Sequence, residues 1–204
     1  MSYDDVRIGA FLDDVASERV APAGGTAVAV AGAMGAALCE MACIHTTNAG
    51  EASDATVRQG DGAAERSFEV IRDDLARQRR ELLALAAQDA TLVDELFGGD
   101  GEPTDRLAKR ASGIPLATAE SSLAVLEDAA AVVERGRSGV AADARAGAYL
   151  ADAAVQASLS TVRVNAAALS DRSFAETMTD RADAVSSSAA EVRSEILSDD
   201  CSGR

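Results

Sequence analysis

Lysine is almost missing from this sequence: Lys109 stands alone, and every other base is an arginine. Tryptophan is absent and aromatic residues make up only 3%. With so few rings, the apolar content, 48% of the chain, is mostly Ala, Val and Leu. Three prolines in 204 residues leave long stretches free of helix breakers. Alternating runs of β-branched and aromatic residues, which mark strands, are nearly missing. A single histidine, His45, leaves no credible Ser-His-Asp arrangement. Three cysteines, Cys39, Cys43 and Cys201, do not make an even disulfide framework. The opening Met1-Ser2-Tyr3-Asp4-Asp5 lacks the cationic start and apolar run of a signal peptide. The least polar stretch, Thr26 to Cys39, is 14 residues of small side chains, too short to span a bilayer. These absences predict a cytoplasmic protein that does not enter a membrane.

What is present is acid and alanine. There are 34 acidic residues against 19 basic ones, a formal net charge of −15. Such a surface repels nucleic acid and anionic lipid, and no basic run overrides that repulsion. Acidic excess with one lysine also fits a protein that stays soluble at high salt; an ordinary acidic cytosolic protein from a GC-rich genome is the plainer reading. Ala is the best helix former, and Ala-faced helices approach closely. The chain therefore reads as one all-α domain over residues 1–204, a bundle of five to six long helices around an Ala/Gly-rich central helix.

Ile8, Phe11, Leu12 and Val15 mark a short amphipathic first helix. The loop Ala21-Pro22-Ala23-Gly24-Gly25-Thr26 then feeds a second helix reaching about Thr46. That helix is apolar on every face, which predicts burial at the bundle centre, and its Gly32 and Gly35 admit close neighbours. A long third helix runs from about Ala63 to Phe97. A fourth spans about Asp105 to Glu134, with an interruption expected at Gly113-Ile114-Pro115. A fifth covers about Ala141 to Leu169. A sixth follows the capping pair Ser170-Asp171 and ends near Leu197.

In the third helix Leu75, Leu82, Asp89 and Leu96 recur every seven residues, so the acid shares a stripe with leucines, widened by Leu85, Leu92 and Val93. An inward carboxylate is costly unless hydrogen-bonded, paired or used. Burial raises its pKa, which suits a general acid or base. The plainer reading is an Asp satisfied by a neighbouring hydroxyl, or one turned to the rim. Pro22, Gly24, Gly25 and Thr26 form a second candidate: glycines before a helix N-terminus let an anion or polar ring edge approach free backbone N–H groups. No Lys-Ser/Thr pair follows, so this is not a P-loop. Asn165 lies with Ser158, Thr161 and Leu169 on a semi-polar stripe of the fifth helix. Asp143 stands in that helix's opening turn, where a negative charge is favourable in any case. Cys39, Cys43 and His45 share one helix and cannot surround an ion, so no metal is expected.

Taken together, Phe11-Leu12-Asp13-Asp14-Val15-Ala16, Val20 to Thr26, Gly32 to Leu38, Asp89-Ala90, Ile114-Pro115-Leu116 and Val162-Arg163-Val164-Asn165 resemble the cyclodeaminase domain of formiminotransferase-cyclodeaminases. Stand-alone relatives of that domain include methenyltetrahydrofolate cyclohydrolases. The resemblance implies an all-α homodimer whose tetrahydrofolate substrate lies at the glycine loop and the long helices, with no metal or redox cofactor. It implies that Asp89, in Asp89-Ala90-Thr91-Leu92-Val93, is catalytic. Pro22, Gly24, Gly25, Thr26, Asp143 and Asn165 become substrate-binding candidates. Arg77, Arg79, Arg80 and Arg163 are open to the folate carboxylates. The sequence departs from the family at Ala23, where a third glycine is usual, and at Arg137 to Ala142, where only the following Asp143 survives of an Asn- and Ser-bearing run. Those departures leave a second reading, a folate-binding or structural paralogue without turnover. Within the active reading, hydrolysis of a methenyl adduct and deamination of a formimino adduct both remain. The lack of a fused formiminotransferase domain tilts the expectation slightly to hydrolysis. Small-residue helices also leave a thin protomer core, which independently predicts pairing.

Overall fold

Three long helices begin where a side chain takes up a free amide. Ser67 accepts from the N–H of Val70, Thr104 from Leu107 and Asp171 from Phe174. The computed structural model describes residues 3–52, 66–98 and 104–200. Its helices are α1 (Ile8–Val15), α2 (Gly24–Ala52), α3 (Phe68–Phe97), α4 (Asp105–Arg135), α5 (Ala141–Ala167) and α6 (Arg172–Asp200), with a 3-10 turn at Ser138–Val140. No strand occurs among the described residues, as the composition predicts. Helix α3 begins at Phe68 rather than near Ala63, since Arg66 and Ser67 before it are not helical, and the tail cysteine Cys201 lies outside the described residues.

The glycines set the packing. A Cβ on Gly35 would stand 2.7 Å from the carbonyl oxygen of Gly147, so α2 and α5 meet backbone to backbone. Gly32 leaves room for the Ser122 hydroxyl of α4 and for Ala154 of α5. These contacts fix the directions. Against α2, helix α5 runs antiparallel: Cys39 faces Ala144, Gly35 faces Gly147, and Gly32 faces Ala154. Helix α4 runs parallel to it, since Gly32 meets Ser122 and Thr46 meets the backbone N–H of Arg137. Between the helices Leu75, Leu82, Leu116, Leu126, Val155 and Leu159 are fully enclosed, each contributing about 1.5–3 kcal/mol by burial. Cys39 and Cys43 are free thiols in this core, and burial pushes them up to about 12 and about 11.

Two expectations are corrected. First, α2 is central but not enclosed. Ala29, Ala33, Ala36, Cys39, Ala42 and Cys43 are buried, whereas Met34 and Ile44 are 52% and 39% exposed. The helix is also longer than the apolar run read from sequence: Gly24–Asn48 is long and apolar enough to cross a membrane by length and composition alone. In the fold it packs on α3, α4 and α5, with one face left open. Second, α4 runs unbroken through Pro115. Proline has no N–H to give the carbonyl four residues back, which strands the oxygen of Ala111. The side-chain amide of Asn165 on α5 donates to that oxygen at 2.6 Å and keeps it satisfied.

Candidate active site

Asp89 lies where two sequence features converge. The leucine stripe turns it toward α2, and the glycine loop ends opposite it. The carboxylate is 8% exposed, and Thr26 Oγ1 donates to its Oδ2 at 2.7 Å. The Thr26 backbone N–H donates to it as well. Thr26 is the third residue of α2, so this amide is one of those a helix start leaves free, at the positive end of the helix dipole. Gly25 is there of necessity: a Cβ on it would stand 2.7 Å from the Asp89 Cγ and 2.8 Å from Oδ2. No such constraint acts at Gly24, where a Cβ would meet nothing within 4 Å.

Burial raises the Asp89 pKa above the ordinary carboxylate range, and the two Thr26 hydrogen bonds act against that rise. No cation pairs with Asp89 among the described residues. The contrast is Asp128 on α4, the other buried carboxylate among the described residues, which is held by the Arg66 guanidinium at 2.5 Å. Asp128 is paired with a guanidinium, whereas Asp89 is held by uncharged donors, the hydroxyl-satisfied arrangement that the plainer reading of the sequence anticipates.

Neighbours of Asp89 along α3 line two cavities. One, of about 510 Å³, is lined by Tyr3, Arg19, Pro22, Thr91 and Asp94 among others. Tyr3 makes an edge-to-face contact with Phe11, ring centroids 5.4 Å apart, and its phenol is raised by burial and by the charges of Asp89, Asp14 and Asp94. Nothing in the sequence pattern singles out Tyr3; only the fold brings it near the acid. The other cavity, of about 580 Å³, lies between α3 and α4 and includes Leu85, Gln88, Arg106, Lys109 and Arg110.

The remaining candidates divide. Pro22, Gly24, Gly25 and Thr26 are at the Asp89 end of the bundle. Asn165 reaches the same end, because α5 runs antiparallel to α2, but its amide is engaged by Ala111 O. Asp143 does not join them. It is exposed beside Ala144, which accepts from Cys39 Sγ at 3.7 Å, and Cys39 lies thirteen residues from Thr26, about 20 Å along the helix. The resemblance made Asp143 a substrate-binding candidate beside the loop residues; within one protomer it stands at the opposite end of α2 from Thr26. Of the arginines considered, Arg77 pairs with Asp74, Arg79 with Glu40 and Arg163 with Asp183. Among the described residues no group of three or more His, Cys, Asp or Glu is placed to hold a metal ion.

Fold and site define a class: an all-α bundle that sets one buried carboxylate, bonded by Thr26, against the N-terminus of its central helix. The chain belongs to the formiminotransferase-cyclodeaminase family, whose pattern it matches over residues 7–184. It is 31% identical over 150 residues to a methenyltetrahydrofolate cyclohydrolase of Methylorubrum extorquens, covering 67% of this chain and 68% of that protein. In fold it is similar to the crystal structure of formiminotetrahydrofolate cyclodeaminase from Thermotoga maritima. The TM-score is 0.81 and the identity 21%, and the match covers 94% of each chain.

Proposed function

We propose that the protein is a folate one-carbon enzyme that hydrolyses methenyltetrahydrofolate, with Asp89 as its proton-transfer group. The observation that carries the reading is the Asp89 carboxylate, buried over Gly25 and bonded only by Thr26. The substrate class is supported by family membership and by the likeness to a methenyltetrahydrofolate cyclohydrolase.

The chemistry follows from one acid. The substrate is a cation whose methenyl carbon bridges two nitrogens. Ionised Asp89 takes a proton from water as the water oxygen bonds to that carbon, giving a tetrahedral centre. One carbon–nitrogen bond then breaks, the departing nitrogen receives a proton, and the remaining hydroxyl proton leaves as the formyl carbonyl forms. The net reaction consumes water and releases one proton. In the deaminase reaction the arylamine nitrogen that carries the benzoyl ring attacks the formimino carbon and gives up its proton. The formimino nitrogen takes up protons and leaves as ammonia through a similar tetrahedral centre, and the methenyl ring closes. General acid–base catalysis of this kind contributes about a hundred- to ten-thousand-fold. In this reading Pro22, Gly24, Gly25 and Thr26 border the substrate, Asn165 supports α4, and Asp143 has no part within the protomer.

A homodimer is part of the proposal. The open face of α2 presents Met34 and Ile44, and Tyr149 on α5 is 46% exposed. The one described acid of this helix, Glu40, is paired with Arg79. In a molecule of net charge −15 this is a face on which two copies meet without repulsion.

The test is turnover. Purified protein mixed with methenyltetrahydrofolate should remove its near-ultraviolet absorbance faster than buffer does, and ammonia release from formiminotetrahydrofolate should be assayed beside it. Turnover in neither assay would leave the inactive paralogue as the better reading.

A further inference from the structure

We propose that the cavity between α3 and α4 binds the aryl-carboxylate tail of the substrate; the inference rests on the folate reading above and names a subsite for it. Folates carry a benzoyl ring attached to the reacting nitrogen and, beyond it, a glutamate with two carboxylates. A site for that tail needs an apolar slot beside the catalytic acid and cations at its far edge.

This cavity has both. Leu85, Ile114, Gly113 and Ala117 form its apolar part, and a Cβ on Gly113 would meet nothing within 4 Å, which leaves the slot open. Leu85 and Gln88 lie on α3 within about one turn of Asp89, on the order of 6 Å along the axis, so a ring bonded to the reacting nitrogen falls here. At the α4 edge stand Arg106, Lys109 and Arg110. They are three bases within five residues, including the chain's sole lysine, in a protein with a large acidic excess. Lys109 is tied to Asp105 and Asp171 and lies over the Phe174 ring; Arg110 is tied to Glu95. Among the described residues Arg106 is the one base of the three with no carboxylate paired to it, and its planar fork suits a carboxylate. Asp105, which also lines the cavity, is engaged by Lys109.

Other cavities fit the tail less well. The one lined by Tyr3 brings Asp14 and Asp94, with Arg19 already paired to Asp14. The one between α4 and α6 carries Glu127, Glu134 and Glu195. Neither is lined by a base without a carboxylate partner, whereas the cavity between α3 and α4 has Arg106. A volume of about 580 Å³ is also in the range of small-molecule sites.

The experiment uses Arg106→Glu in the full chain and two readouts. Arg106 is exposed, so the variant should fold, and its melting curve checks this. Steady-state kinetics on methenyltetrahydrofolate should show KM raised about tenfold or more with kcat within about twofold, the loss expected of one charge-assisted contact made in ground and transition states alike. Calorimetric titration with N-(4-aminobenzoyl)glutamate, which has the ring and carboxylates but no pterin, should show binding to wild type, weakened by salt and lost in the variant. Unchanged KM together with unchanged fragment affinity would overturn the subsite and leave the folate reading standing. If wild type turns over no folate, the reading fails and the titration still decides the cavity. No binding of the fragment by wild type would then overturn the subsite too.

Discussion

Burial and hydrogen bonding act on Asp89 in opposite senses, and their balance sets where it titrates. The Thr26 hydroxyl and amide favour the carboxylate; the leucines around it favour the acid. Removing the hydroxyl removes one of the lowering influences. Thr26→Val is therefore expected to move the acid-side limb of the kcat/KM profile to higher pH, with the high-pH plateau retained in large part. Superimposable profiles for the variant and wild type would show that the hydroxyl does not tune the base. The position of Asp89 was legible in the sequence because Leu75 and Leu82 repeat at the same interval, and a heptad places all three on one stripe. Its partner was not. Thr26 is one of several hydroxyls near a helix start, and only the antiparallel pairing of α2 and α3 selects it. Arg106, Lys109 and Arg110 were missed for a similar reason: at the start of a helix, mixed charges resemble an ordinary solvated turn.

At the scale of elements, the clearest dependence is that of α4 on α5. Pro115 strands the Ala111 carbonyl, and Asn165 satisfies it at 2.6 Å. Asn165→Ala leaves a partly buried acceptor without its donor, which costs about 1–3 kcal/mol. Urea denaturation should report that loss as a lower midpoint with the slope unchanged. A variant as stable as wild type would mean that another donor reaches Ala111. The break expected at Pro115 came from local chemistry alone. The compensating amide lies 54 residues beyond Ala111 and is invisible to any local rule. By contrast, the cap Asp171 acts within three residues of itself, and the start of α6 beside it could be read directly; the Ser67 cap was passed over and α3 was expected to start near Ala63.

At the scale of the molecule, charge and apolar surface compete. A net charge of −15 opposes association at low salt, while covering the open face of α2 in the proposed dimer would favour it. Screening shortens the reach of the repulsion to about 3 Å at 1 M salt. Light scattering in molar salt should therefore give the mass of two chains for wild type and of one chain for Met34→Glu. A monomer mass for wild type there, with full activity, would exclude the dimer as a functional unit. The same screening should raise the melting temperature with added salt. The open face was not legible, because an all-apolar helix looks identical in sequence whether its last face meets a neighbour in the same chain or another copy. Nor was the distance of Asp143 from Asp89, which depends on the direction of α5.

The central claim is that Asp89 exchanges a proton during turnover, and Asp89→Asn tests it most directly. The amide keeps the size and still accepts from the Thr26 hydroxyl. Because burial raises the native pKa, the stability linked to Asp89 is fully present below the unfolded carboxyl pKa of about 3.9 and is lost as pH rises through the native value. At neutral pH the variant should thus melt no lower than wild type. Its rate of methenyltetrahydrofolate loss should fall about a hundredfold or more. A folded variant that keeps more than about a tenth of wild-type turnover would contradict the account.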